Sequence, residues 1–228
     1  MLDVYRPVTA AAPRPAVLWV HGGGYVSGSR RQVADYDTVL ADRGFVVASL
    51  EYSLAPGRRY PVPVEQGTAA LSYLTANASR FGGALPRCSA VPTNPALAAR
   101  LVLLFCGLYD MATVGSTGFP ALRTFLWSYT GECDWTRFPR IDELSTTRQV
   151  TTAYPPVYLT VGDADPFQPQ AQELESALRA HGVAVTSRCW PGAGLGHEYQ
   201  FKLRTPAART VPADTVAFLN GPGLNGPG

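Results

Sequence analysis

The sequence predicts a doubly wound, mostly parallel α/β sheet. Three observations carry this. Short apolar runs recur along the chain with almost no in–out alternation, as in parallel strands buried on both faces. Amphipathic stretches of helical spacing lie between them. Each run is closed off by Gly or Pro, so the elements alternate β-α-β, the order that winds a parallel sheet with helices on both faces.

Ala16–Val20 (AVLWV) lies between Pro15 and a glycine run and reads as the first buried strand. Gln32–Arg43 has helical spacing and stops at Gly44, a natural residue just past a helix end. Phe45–Leu50 (FVVASL) is the second strand, and Val64–Asn77 the next helix, with Ala69, Ala70, Leu71, Tyr73 and Leu74 near one face. Leu101–Cys106 (LVLLFC) and Val157–Val161 (VYLTV) are further strands. Pro169–His181 starts on Pro, sets Leu174 and Leu178 four apart and stops at Gly182, so it reads as a helix. Val183–Arg188 alternates more and reads as an edge strand, and Thr210–Leu219 as a closing helix. Residues 112–154 break the pattern. They are rich in aromatics (Phe119, Phe125, Trp127, Tyr129, Trp135, Phe138) and too long for a plain loop, so they are expected to pass over the sheet and shape a pocket.

The chain has 228 residues, which fits one domain over 1–219, with 220–228 (Gly- and Pro-rich) as a flexible tail. Charged residues are 16% and hydrophobic ones 46%, which excludes a disordered chain. A net charge of +2 gives no electrostatic basis for a nucleic-acid partner. No apolar run approaches the ~20 residues of a transmembrane helix, and no signal peptide is visible. The four cysteines (Cys88, Cys106, Cys133, Cys189) form no C-x-x-C pair and the three histidines are scattered. Free thiols in a cytoplasmic protein, no metal site and no cofactor are therefore expected.

Three clusters carry chemistry. His21-Gly22-Gly23-Gly24-Tyr25 directly follows the first strand. Acyl transfer builds negative charge on a carbonyl oxygen, and backbone N–H groups of a glycine loop can approach that oxygen closely. The loop otherwise reads as a glycine-rich turn; no phosphate-loop or dinucleotide pattern is present. Gly162-Asp163-Ala164-Asp165-Pro166 closes the Val157–Val161 strand, where a carboxylate can orient an imidazole or cap the following helix. Gly194-Leu195-Gly196-His197-Glu198-Tyr199 follows the Val183–Arg188 strand. His181 sits at a helix end and His21 begins the glycine run, which leaves His197 as the candidate base.

Four stretches in this order, HGGGYVSGSR (21–30), YSLAPGRRYPVP (52–63), GDADP (162–166) and GHEYQF (196–201), resemble the hormone-sensitive-lipase-like esterases of the α/β-hydrolase fold. The resemblance implies a serine-type carboxylic ester hydrolase acting on a small-molecule ester. It implies Asp165 rather than Asp163 as triad acid, His197 as triad base, and Gly22, Gly23 and Gly24 as the oxyanion loop. It also implies that the chain lacks that family's first strand and N-terminal cap helices. Oligomeric state is left open.

The family's Gly-x-Ser-x-Gly nucleophile turn is absent from the chain. Ser89 is nearest in order, but no apolar strand precedes it, and Pro92 and Pro95 oppose a helix after it. Ser116 lies in the aromatic excursion. Cys106 ends a strand with no helix behind it. The nucleophile is therefore unassigned, and the expected fold lacks a central strand between the Ala16–Val20 and Leu101–Cys106 strands. The alternative reading is a hydrolase-fold protein that binds an apolar ligand without catalysis, a remnant of an internal deletion.

Overall fold

The computed structural model describes residues 1–8, 14–89 and 101–221, with the side chains of 83–89 left out. The predicted strands form where the apolar runs lie. β1 (Leu2–Tyr5), β2 (Arg14–Val20), β3 (Val46–Leu50) and β4 (Gly83–Ser89) make one sheet in the order β1-β3-β2-β4. β5 (Val102–Phe105), β6 (Val157–Thr160) and β7 (Val185–Arg188) make a second, in that order. Every pairing is parallel except β1 against β3.

The helices α1 (Ala34–Asp42), α2 (Val62–Ala76) and α6 (Gln168–Ala180) are crossovers, α3 (Leu122–Thr130), α4 (Ile141–Leu144) and α5 (Thr146–Gln149) fold within the aromatic excursion, and α7 (Pro206–Leu219) follows the last strand and closes onto the sheet. Strand periodicity of two sorts the core onto two faces. Val17, Trp19, Val47, Leu103 and Tyr158 point to one face and pack with Tyr36 and Leu40 of α1 and Val211 and Leu219 of α7. On the other face, Leu18, Ala48 and Leu50 meet Ala70, Leu71 and Leu74 of α2, while Val102, Leu104, Val157 and Leu159 meet Ala171, Leu174 and Leu178 of α6. Helices on both faces are the doubly wound arrangement.

The expected central gap is half filled. The sequence offers no apolar strand ahead of Ser89, yet residues 83–89 form β4 along β2, from Arg14↔Gly83 to Leu18↔Ser89, with two register irregularities. The open edge of β2 selects this segment: its free N–H and C=O groups need partners, and Gly and Pro are tolerated where the ladder is irregular. The pairing stops at Leu18, so Trp19 and Val20 run past it. Among the described residues β4 and β5 do not pair, and the described strands fall into two sheets there. Across the division the ring of Trp19 stacks on Phe105 of β5, centroids 5.3 Å apart and planes at 27°. The expected flexible tail falls largely on residues 222–228, outside the described residues.

α1 buries one acid. Asp37 is fully buried against β3, and burial pushes its carboxyl up to about 7, with Asp3 adding to the push and the Ser49 hydroxyl opposing it. A folded-state value above the ordinary one means that the folded chain holds this proton more tightly. Stability is then present below about pH 4 and is lost as pH rises towards about 7, by up to ~4 kcal/mol at about 1.4 kcal/mol per unit. Asp37→Asn is expected to flatten the pH dependence of thermal unfolding and to exceed wild type in melting temperature at about pH 8. A variant with an unchanged slope would contradict this.

Candidate active site

The glycine loop is built on the carboxyl end of β2. His21 is buried, its Nδ1–H donates to Gly22 O at 2.7 Å, and its ring stacks on Tyr52 at 4.3 Å between centroids. Tyr52 Oη in turn donates to His21 O. Burial pushes His21 below the ordinary imidazole range, against the pull of the Gly22 carbonyl, so this ring is a neutral prop of the loop. Glycine is needed at position 23: φ is +113°, and a Cβ there would collide with the Ser27 carbonyl.

Asp165 and His197, the predicted acid and base, lie on the loops that follow β6 and β7. Asp165 is 3% exposed, and its Oδ1 accepts from Phe167 N at 2.8 Å. His197 Nδ1 lies 3.0 Å from Asp165 Oδ2 and 3.2 Å from Oδ1. The imidazole is further held edge-on by Phe119 and Phe167, with centroids at 5.0 and 5.2 Å. Asp163 has a different task. It accepts from Gly194 N and Leu195 N at 3.0 and 2.7 Å, and those two donors hold its carboxyl below the usual range. It thereby fastens the His197 loop to the β6 loop. Gly162 lets the two loops touch, since a Cβ there would strike the Leu195 carbonyl.

The glycine loop and the Asp165–His197 pair face one cavity of about 250 Å³. Gly22, Gly23, Gly24, Cys106 and His197 all line it. Phe119, Leu122, Phe125 and Leu126 of the 112–154 excursion form its roof, as the sequence predicts. Trp19, Val20 and Leu103–Phe105 also line it, so the cavity reaches into the division between the two sheets, above the point where β4 stops.

Other predicted residues lie apart. His181 caps the end of α6, with Nδ1 donating to Ala177 O on the surface. Ser116 sits in a 3₁₀ turn and donates to Thr113 O at 2.8 Å, away from the cavity lining. Ser89 ends β4 opposite Leu18, three residues before His21 on the paired strand; its side chain and residues 90–100 are outside the described ones.

Two residues enter the site without a role predicted for them there. Cys106, at the end of β5 with φ +49°, brings its thiol beside the pair: its sulfur, a carboxylate oxygen of Asp165 and a ring nitrogen of His197 lie within 4.8 Å of one another. The thiol is buried and donates to Gln200 Oε1 at 3.4 Å; burial, reinforced by the Asp165 charge, pushes it far above the ordinary thiol range, so it is no ready nucleophile. Glu198, with φ +54°, reaches back against the glycine loop: a Cβ on Gly22 would lie 2.7 Å from its Oε1. When ionised it opposes negative charge beside Gly22, and a substrate carbonyl entering there has to turn it aside.

The family model BD-FAE matches residues 2–91. Two relatives from Mycobacterium tuberculosis are each 27% identical to the chain. Esterase LipC aligns over 96% of this chain and 62% of its own length, carboxylesterase NlhH over 95% and 76%. Among solved structures, a bacterial heroin esterase superposes with a TM-score of 0.85 at 24% identity over 96% of this chain and 78% of that one. Esterase B from Lactobacillus Rhamnosis (HN001) gives 0.82 at 21% over 96% and 79%. These structures establish the fold. Among the described residues no helix is long and apolar enough to cross a membrane. With motif order, fold and relatives in agreement, the chain has the α/β-hydrolase fold and is similar to the hormone-sensitive-lipase-like esterases of that fold.

Proposed function

We propose that this chain hydrolyses small, largely apolar carboxylic esters by general-base attack of water. The observation that carries the reading is the 3.0 Å contact between His197 Nδ1 and Asp165 Oδ2 on the wall of the cavity that the glycine loop also lines. Asp165 orients the imidazole with Nδ1 protonated, which leaves Nε2 free to take a proton. Water attacks the ester carbonyl and gives that proton to Nε2. The negative charge passes to the carbonyl oxygen, where N–H groups of the Gly22–Gly24 loop receive it. Collapse expels the alcohol oxygen, which takes the proton back from the imidazolium, leaving acid and alcohol. Water replaces serine because the chain has no Gly-x-Ser-x-Gly turn. The aromatic lining and the ~250 Å³ volume fit a short acyl chain.

Without a covalent step the acceleration stays below that of a complete triad: the oxyanion loop and binding supply about 10³–10⁴ over water, the level retained when a triad is incomplete, and the His197 base multiplies it. The test is the time course of p-nitrophenyl acetate hydrolysis with chelator present. Steady turnover above the spontaneous rate, with no initial burst, is the expected result. Binding of the ester with no turnover would instead establish the ligand-binding reading, which the missing serine motif favours.

A further inference from the structure

The geometry points to a divalent-cation site made by Cys106, Asp165 and His197, of the kind that takes Zn²⁺. Among the described residues these three form the one group of potential ligands whose donor atoms all lie within 4.8 Å of one another. They come from three separate strand ends, β5, β6 and the loop after β7, so the sheet fixes their spacing rather than a flexible hairpin. A thiolate sulfur, an imidazole nitrogen and a carboxylate oxygen are the mixed donor set of tetrahedral zinc, with bonds of about 2.3, 2.0 and 2.0 Å. Two such short bonds at a tetrahedral angle place N and O about 3.3 Å apart, and Nδ1 and Oδ2 are already 3.0 Å apart. Thiolate and carboxylate together carry two negative charges, which a divalent cation balances in this buried place.

The surroundings support the donors. Phe167 N–H donates to Asp165 Oδ1 at 2.8 Å and fixes that carboxylate. Such outer contacts orient metal ligands. All that a fourth ligand needs is a water, because Cys106 and His197 both border the cavity. A cation held there takes the place of the His197–Asp165 hydrogen bond. Metal binding and general-base action then exclude each other; this consequence, unlike the site itself, rests on the function proposed above.

The test uses the full chain with Cys88, Cys133 and Cys189 replaced by Ala, so that Cys106 is the remaining thiol, stripped of metal and titrated with Co²⁺ without substrate. A thiolate-to-cobalt charge-transfer band with intense visible bands of a tetrahedral ion, saturating at one equivalent and displaced by Zn²⁺, is expected. Adding Cys106→Ser should abolish the charge-transfer band. It should also weaken binding by more than about 100-fold, since outer-sphere losses alone cost 10–100-fold. His197→Ala should weaken it likewise, with circular dichroism confirming that each variant is folded. If the triple variant fails to fold, the same comparison is made between wild type and Cys106→Ser. Absence of the band, or a band of equal strength after Cys106 is replaced, overturns the site. Because the readout is absorbance, its failure leaves ester turnover untouched, and loss of turnover leaves the band untouched.

Discussion

His197→Ala is expected to lower ester turnover by about 10²–10⁴-fold, the usual worth of a positioned acid–base group. The imidazole is the basic group on the cavity wall that is held by a carboxylate, and its removal leaves the glycine loop with no partner to take the proton from water. Asp165→Asn should fall in the same range by a different route. The amide can present its NH₂ to Nδ1, which favours the tautomer with the proton on Nε2, the atom that must be bare. The Phe167 N–H bond to position 165 survives in the amide, so stability should change little. Initial rates with p-nitrophenyl acetate and thermal melts on the same samples check both statements. Equal rates for wild type and His197→Ala would remove the imidazole from the reaction.

Trp19→Ala is expected to cost about 3–5 kcal/mol of stability, the range for removing a buried aromatic. The reason is its position as much as its size. Among the described residues β4 and β5 do not pair and no strand ladder joins the two sheets. Trp19 bridges them, stacking on Phe105 and lying 4.9 Å from Tyr36 and 6.3 Å from Phe201, ring to ring. Its loss enlarges a cavity that already enters the division, and neighbours tied to separate sheets cannot collapse into the space. Urea unfolding followed by far-UV circular dichroism measures the effect. A loss below about 1 kcal/mol would mean that the sheets are held together elsewhere, through α1 and α7.

Where the chain buries both faces of a strand, the sequence announces it: the apolar runs at 16–20, 45–50, 101–106 and 157–161 each become strands within a residue or two. β4 could not be read that way, because Gly83, Pro86 and Arg87 carry no strand pattern, and what selects the segment is the unpaired edge of β2. The helix α3 was hidden among turn residues; it begins after Ala121, itself at φ +57°, and is set by packing of Leu122, Leu126 and Tyr129. Asp165, His197 and the glycine loop stood out in the sequence because each lies beside a strand end with distinctive neighbours, and the structure brings them together. Cys106 was visible as a strand end, but its convergence with Asp165 and His197 depends on parallel strands that lie far apart in sequence. Glu198 gave no signal, since a positive φ at a non-glycine residue leaves no mark in the composition of its neighbours.

Direct attack by water is tested most directly by intact-mass spectrometry of the full chain after incubation with a short-chain alkyl phosphonate ester. The account predicts an unlabelled chain that still turns over p-nitrophenyl acetate. A single covalent adduct mapping to a serine, with turnover lost in proportion, would contradict it and assign the attacking oxygen to that residue.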